Sequence, residues 1–78
     1  MVNFDIEMNK QIEQGIALIG QGEIEQALRC FEMVVESNPV QHLGIYYVGL
    51  CHLKLDKVST AILHFDRALE IAPNTVNY

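Results

Sequence analysis

Several residue types are scarce in this 78-residue sequence, and each scarcity excludes a class of protein. Only two prolines and five glycines are present, too few for a collagen-like or proline-rich chain. No stretch approaches the roughly 18 consecutive apolar residues of a membrane span, and the acidic N-terminus lacks the basic start of a secretory signal. We therefore expect a cytoplasmic protein outside the membrane.

Basic residues and cysteines are also few. Five lysines and arginines face ten acids, for a net charge of −5, and such a surface repels phosphate backbones and anionic lipids. Nucleic acid and membranes are therefore not expected partners. Cys30 and Cys51 form no spaced disulfide framework, which predicts two small, buried or half-buried side chains in a reducing compartment.

The residues that would support catalysis or bind a metal lack the necessary spacing. No histidine or cysteine pair has the i, i+4 or C-x-x-C separation, and Cys51 points to a different helix face from His52. The sequence contains no phosphate loop, nucleophile elbow or H-E-x-x-H motif. It therefore predicts no enzyme, no metal site and no cofactor, and it favours a core position for His52 with one hydrogen-bonded nitrogen.

The chain does contain an internal repeat, with a period of about 34 residues. A shift by this period aligns Gly15 with Gly49, Ala27 with Ala61, Phe31 with Phe65, Glu36 with Glu70 and Pro39 with Pro73. It also aligns apolar residues, including Ile24 with Val58, Leu28 with Ile62 and Val35 with Leu69. Within each unit the apolar residues recur at steps of three and four, which places them on one helix face.

The breaks between the periodic segments mark the helix ends. Pro39 and Pro73 disfavour helix in the residues before them. Gly22 and Asp56 both tolerate the left-handed backbone of a tight turn, glycine more easily. The pattern predicts helices near residues 5–21, 24–37, 41–54 and 57–71.

In its period and in its residue offsets, the sequence resembles the tetratricopeptide repeat family. The second unit matches the family at Ile45, Val48, Gly49, Ala61, Phe65, Ala68 and Pro73. The first unit matches it at Gly15, Leu18, Ala27, Phe31, Val34 and Pro39. It departs from the family at Gln11, Gln14, His52 and Asp56, and the five residues after Pro73 in this sequence are not expected to form the polar capping helix that is common in the family.

The resemblance implies an all-α fold of two tandem helix-turn-helix repeats, which form a short right-handed α-solenoid. Residues 1–78 would be a single domain, with residues 1–7 extending the first helix, repeat 1 at 8–41 and repeat 2 at 42–75. Members of the family are binding scaffolds whose first helices line a concave groove. The implied function is therefore that of a protein–protein interaction module.

Residues at the family's groove positions predict the kind of ligand. They are Asn9, Ile12, Ile16, Ile19, Leu43, Tyr46, Tyr47, Leu50, Leu53 and Lys54. The helix near 41–54 is apolar all round, which predicts that both of its faces need cover. The expected partner is a protein or peptide with an apolar helix or extended segment, since the family's lysine and asparagine clamp for a peptide carboxylate is absent.

Other interpretations stay open. The same residues could pack only against a neighbouring repeat, or the alternating residues Val2, Phe4, Ile6 and Met8 could lie over them as an extended arm, although a helix there is favoured. Because about three repeats are usually needed for stability, we also expect a homo-oligomer, most simply a dimer. Two grooves could close on each other, or the last helix near Leu63, Leu69 and Ile71 could stack on another chain. The chain could also belong to a longer repeat array.

Overall fold

The computed structural model describes residues 4–73, with side chains described from Glu7 onward, and this part of the chain is all-helical. The helices are α1 (Phe4–Gly20), α2 (Ile24–Ser37), α3 (His42–Lys54) and α4 (Val58–Ile71), and no strand occurs between residues 4 and 73. The four predicted helices are confirmed, with each boundary within one residue. The chain is already helical at Phe4, in agreement with the helix that the sequence favoured over an extended arm. Val2 lies outside the described residues.

The turns that follow α1 and α3 have the same structure at equivalent positions of the sequence repeat. Gly22 has a φ of 82° and Asp56 a φ of 64°, so both adopt the left-handed conformation that the sequence predicted. The amide of Glu23 donates to the carbonyl of Leu18 at 2.9 Å, and the amide of Lys57 donates to that of His52 at 2.8 Å. Each turn is therefore a Schellman motif, which satisfies carbonyls left free at the helix end.

The ends of α2 and α4 also repeat. Asn38 and Ala72 have φ values of −146° and −135°, and each donates its amide to the carbonyl four residues earlier at 2.9 Å. Both residues precede a proline, whose ring disfavours helical backbone in the residue before it. The helix-breaking role predicted for these prolines thus matches the observed helix ends.

Gln41 begins α3 and ties it to α1. Its side-chain oxygen accepts a hydrogen bond from the amide of Leu43 at 3.0 Å, as an N-cap residue does. Its side-chain amide nitrogen donates to the sulfur of Met8 at 3.7 Å. One side chain therefore caps a helix and connects the two halves of the chain.

Each helix packs mainly on its neighbours in the chain: α1 on α2, α2 on α3, and α3 on α4. The core cluster consists of Ile12, Ala27, Phe31, Val34, Val48 and Cys51. This serial packing gives an elongated body of 40 × 29 × 20 Å. The two inner helices are consequently covered from two sides, and the two outer helices from one.

Glycines allow the helices to approach closely at equivalent places in the two halves. A Cβ atom added to Gly15 would lie 2.7 and 2.8 Å from Cε2 and Cε1 of Phe31. A Cβ atom added to Gly49 would lie 2.9 and 3.0 Å from Cε1 and Cδ1 of Phe65. Because real Cβ atoms need more room, each phenylalanine ring occupies the space that a larger residue would fill.

The cysteines are both free thiols, and Cys30 is half-buried while Cys51 is fully buried. The burial predicted for them is confirmed. Desolvation raises the pKa of the Cys51 thiol to about 11, so that it is a neutral core side chain at pH 7.

Candidate interaction surfaces

The residues predicted to line a groove divide into three groups by exposure. Ile16, Leu43 and Leu53 are large apolar side chains that are 43%, 37% and 42% exposed. The half-buried residues are Ile19, Tyr46, Tyr47 and Leu50, and the exposed polar ones are Asn9 and Lys54. These nine residues, which are the predicted set without Ile12, are called the α1–α3 face below. Ile19 and Tyr47 pack against the same core cluster, which joins the two helices beneath the exposed side chains.

Ile12 was predicted to line the groove, but it is only 7% exposed and belongs to the core. The reason lies in the rotation of α1 about its axis. Gly15 faces Phe31 on α2, and Ile12 precedes Gly15 by three residues, so the two share the core-facing stripe. Ile16 follows Gly15 and is turned by about 100°, which leaves it at the surface.

Four aromatic rings form a continuous row across α3, and sequence reasoning missed it. Tyr47 stacks on Phe31 of α2 with ring centroids 4.8 Å apart and an interplanar angle of 13°. Tyr46 lies 5.1 Å from Tyr47 and 5.4 Å from Phe65 of α4. Both tyrosines are therefore held in place by internal packing, and each presents only part of its ring at the surface.

A second exposed apolar surface lies on α4. Val58 and Ile62 are each 52% exposed, and Leu69 beside them is half-buried. These three residues, called the α4 open face below, lie within about 40° of one another around the helix axis. Their equivalents on α2, namely Ile24, Leu28 and Val35, pack against the core. The alignment of the two sequence repeats pairs these residues with their equivalents on α2. That the α4 residues are uncovered, however, can be seen only when the neighbours of each helix are known.

Leu63 lies on another side of α4 from the α4 open face. It is 69% exposed and helps to line a cleft of about 360 Å³ together with Val35, Pro39, Ile45, His64 and Arg67. Leu63 and Leu69 are six residues apart, which turns them about 120° from each other. The expectation that the last helix near Leu63, Leu69 and Ile71 stacks on another chain stays a prediction.

His52 packs beside His64, with ring centroids 5.3 Å apart. The Nδ1 atom of His64 donates to the Thr60 carbonyl at 2.9 Å, because a carbonyl oxygen can only accept. The Nδ1 atom of His52 is buried and has no hydrogen-bond partner among the described residues, and the expectation that one nitrogen of this ring is hydrogen-bonded stays a prediction for Nε2. Within residues 4–73, no group of three or more His, Cys, Asp or Glu side chains is arranged to hold a metal ion.

The surroundings of His52 predict a loss of stability in mild acid. Burial lowers the pKa of His52 from 6.5, His64 and Lys57 lower it further, and Glu32 on α2 partly opposes them. The folded protein therefore binds fewer protons than the unfolded chain in the pH range just below 6.5. Its free energy of unfolding should fall as the pH drops from 7 to 5.

Urea denaturation at several pH values would check this loss against a His52→Gln variant, which has no titrating group at this position. The variant should lose less stability than the wild type between pH 7 and 5. Parallel stability curves for the two proteins would contradict the role assigned to His52.

None of the helices between residues 4 and 73 has both the length and the apolar character needed to cross a bilayer. No protein-family model matches the chain, and no significant match to a curated protein is found. Membership of a repeat family thus stays a prediction that rests on the residue pattern and on the repeated geometry of the turns.

Proposed function

We propose that this chain is a tetratricopeptide-like binding module, with residues 8–41 and 42–75 as the two repeats of a short right-handed α-solenoid. The proposal is supported by the two Schellman turns at equivalent repeat positions and by the recurrent packing of Gly15 on Phe31 and of Gly49 on Phe65. The two inner helices pack on both of their neighbours, as stacked repeats require.

The α1–α3 face is the proposed binding surface. The observation that carries this proposal is the exposure of Ile16, Leu43 and Leu53, each more than one third exposed, on helices that share one core. Ile19 of α1 and Tyr47 of α3 pack against the same core cluster, which supports one surface across the two helices, and contiguous exposed apolar surface marks interaction sites. The ring packing of Tyr46 and Tyr47 fixes their orientation, which reduces the entropy lost on binding.

The composition of this face defines the proposed ligand. Between Leu43 and Leu53, α3 presents apolar or aromatic side chains over about 15 Å, and the polar residues of the face, Asn9 and Lys54, lie toward its ends. An apolar helix or extended segment of a partner protein fits such a surface. Binding of this kind needs neither cofactor nor catalysis. The net charge of −5 disfavours nucleic acid and membranes, and the free thiols fit a cytoplasmic setting.

Charge substitutions in the α1–α3 face would test the proposal. Peptides selected from a displayed library of amphipathic helices against the wild-type chain would serve as probes, with affinity measured by fluorescence anisotropy. Ile16→Glu and Leu53→Glu should each weaken binding at least about tenfold, because a carboxylate would be desolvated in the complex.

Met33→Glu is the matched control for these substitutions. Met33 is half exposed on α2, away from the α1–α3 face, and its substitution introduces the same charge. Affinity should change by less than about twofold, since surface charges far from a contact have small effects. If Ile16→Glu bound the peptides as tightly as Met33→Glu, the α1–α3 face would not be the binding surface.

A second candidate function is self-assembly, in which two copies close their α1–α3 faces on each other around a two-fold axis. The favouring observation is that this face includes none of the ten acidic residues and that its one charged residue, Lys54, is exposed, so that pairing would not bury carboxylates against each other. Light scattering coupled to size-exclusion chromatography would show a dimer for the wild type and a monomer for Ile16→Glu. A wild-type monomer throughout a dilution series would exclude this candidate.

A further inference from the structure

The internal repeat shows what kind of surface the α4 open face is. Its equivalents on α2, namely Ile24, Leu28 and Val35, pack into the core beside α3. On α4, Val58 and Ile62 remain half exposed, because no further helix among residues 4–73 packs there. The same side-chain pattern is therefore covered in one repeat and uncovered in the other.

The helix that covers α2 shows which surface fits this pattern. A Cβ atom added to Gly44 of α3 would lie 2.9 Å from Cγ1 of Val34 and 3.3 Å from Cγ2 of Val35. Val48 and Cys51 follow Gly44 by four and seven residues and are buried in the cluster that contains Val34. The covering surface is therefore a helical stripe with a small residue first and apolar residues at the next two positions.

A second copy of this chain does not offer such a stripe. In α1, the residues equivalent to Gly44, Val48 and Cys51 are Lys10, Gln14 and Ala17. All three are exposed, and a lysine would stand where even a Cβ atom is crowded. The stripe on α3 of a second copy is already buried in its own core. Copies therefore cannot stack head to tail in the way that α3 packs on α2.

Acidic side chains flank the α4 open face and define the charge of its partner. Asp66 and Glu70 are exposed on α4 at the positions equivalent to Glu32 and Glu36 of α2. Glu32 and Glu36 line one cleft together with Val48 of α3, so these acids stand beside the helix that covers α2. A helix lying on α4 in the same way would bring its last turns near Asp66, where basic residues are favoured.

We propose that the α4 open face binds a basic amphipathic helix of a partner protein, which packs on α4 as α3 packs on α2. The partner helix carries a small residue followed by apolar residues four and seven positions later. This interaction uses a different surface from the α1–α3 face and does not depend on the function proposed for that face.

A peptide with the sequence of residues 41–55 is a direct probe, because it carries this stripe together with His52 and Lys54. A fluorescent, capped form would be titrated with the full chain and its anisotropy measured. The wild type should bind it, and a peptide with Gly44→Leu should bind at least about tenfold more weakly, since the larger side chain prevents close approach.

Two neighbouring substitutions on α4 locate the peptide. Ile62→Glu should weaken binding at least about tenfold, whereas Leu63→Glu, which introduces the same charge about 100° around the helix, should change it by less than about twofold. Ile16→Glu tests whether the peptide occupies the α1–α3 face instead. Far-UV circular dichroism would verify that each variant is folded, as expected for exposed positions.

Three results would overturn this proposal. The first is the absence of peptide binding, or binding that Ile62→Glu does not weaken. The second is loss of binding with Ile16→Glu alone, which would assign the peptide to the α1–α3 face and leave the proposed function standing. The third is a wild-type dimer that Ile62→Glu converts to a monomer, which would show that a second copy covers α4.

Discussion

Replacing Gly15 by alanine should remove about 2 kcal/mol of stability, although alanine is the better helix former by about 1 kcal/mol. The new Cβ atom would overlap the Phe31 ring, with Cζ, Cε1 and Cε2 all nearer than a carbon atom allows. The ring cannot move aside easily, because Phe31 is fully buried and stacked on Tyr47. In a domain of this size, a loss of about 2 kcal/mol lowers the melting temperature by about 10 °C.

Gly20→Ala is the matched control for this prediction. Gly20 also lies in α1, and a Cβ atom added there meets nothing within 4 Å. The control should therefore match the wild type or exceed its stability slightly, through helix propensity alone. Urea denaturation followed by circular dichroism would compare the three proteins. A Gly15→Ala variant as stable as Gly20→Ala would show that α1 and α2 do not approach this closely.

The helix boundaries and the turns could be predicted because each depends on a local signal that occurs twice. The prolines after α2 and α4 end those helices through their own ring geometry. Gly22 and Asp56 both adopt the left-handed conformation that closes the turn. Each signal occurs at equivalent positions of both sequence repeats. The two occurrences support each other, so the prediction from both is stronger than a prediction from one repeat.

The rotation of α1 could not be predicted with the same accuracy. Asn9, Ile12, Ile16 and Ile19 form one helical stripe, and Met8, Ile12, Gly15 and Ile19 form another. The two stripes share two isoleucines, so periodicity alone does not decide which of them faces the core. The deciding contact is between Gly15 and Phe31, which lies between helices. Ile12 was assigned to the groove from the positions that the family resemblance implies, although it is buried.

Contacts across α3 were missed for a related reason. The row of rings from Phe31 to Phe65 joins three helices, and the pairing of His52 with His64 joins two. Local patterns identify the face on which a residue lies, but they do not identify the residue opposite to it. The α4 open face was likewise visible only after α3 was seen to cover its counterpart on α2.

Phe31→Ala should leave the chain largely unfolded in dilute solution at 25 °C. Phe31 is fully buried at the centre of the core, between Gly15 of α1 and Tyr47 of α3. Truncation of such a side chain costs about 3–5 kcal/mol, and a core of this size rarely supplies more than about 3–5 kcal/mol in total. Far-UV circular dichroism would report the loss of helix, and Phe31→Leu would give a graded, measurable loss if the alanine variant does not fold.

Phe65→Ala tests the second repeat in the same way, because Phe65 is the equivalent of Phe31 there but is only half-buried. Its truncation removes less buried surface and should cost about 2 kcal/mol, so that this variant keeps most of its helix. The difference between the stability losses of the two variants shows how much less α4 is covered than α2 in solution. Equal losses at Phe31 and Phe65, at a concentration where light scattering shows an oligomer, would mean that another copy buries α4 and that the chain folds as an assembly.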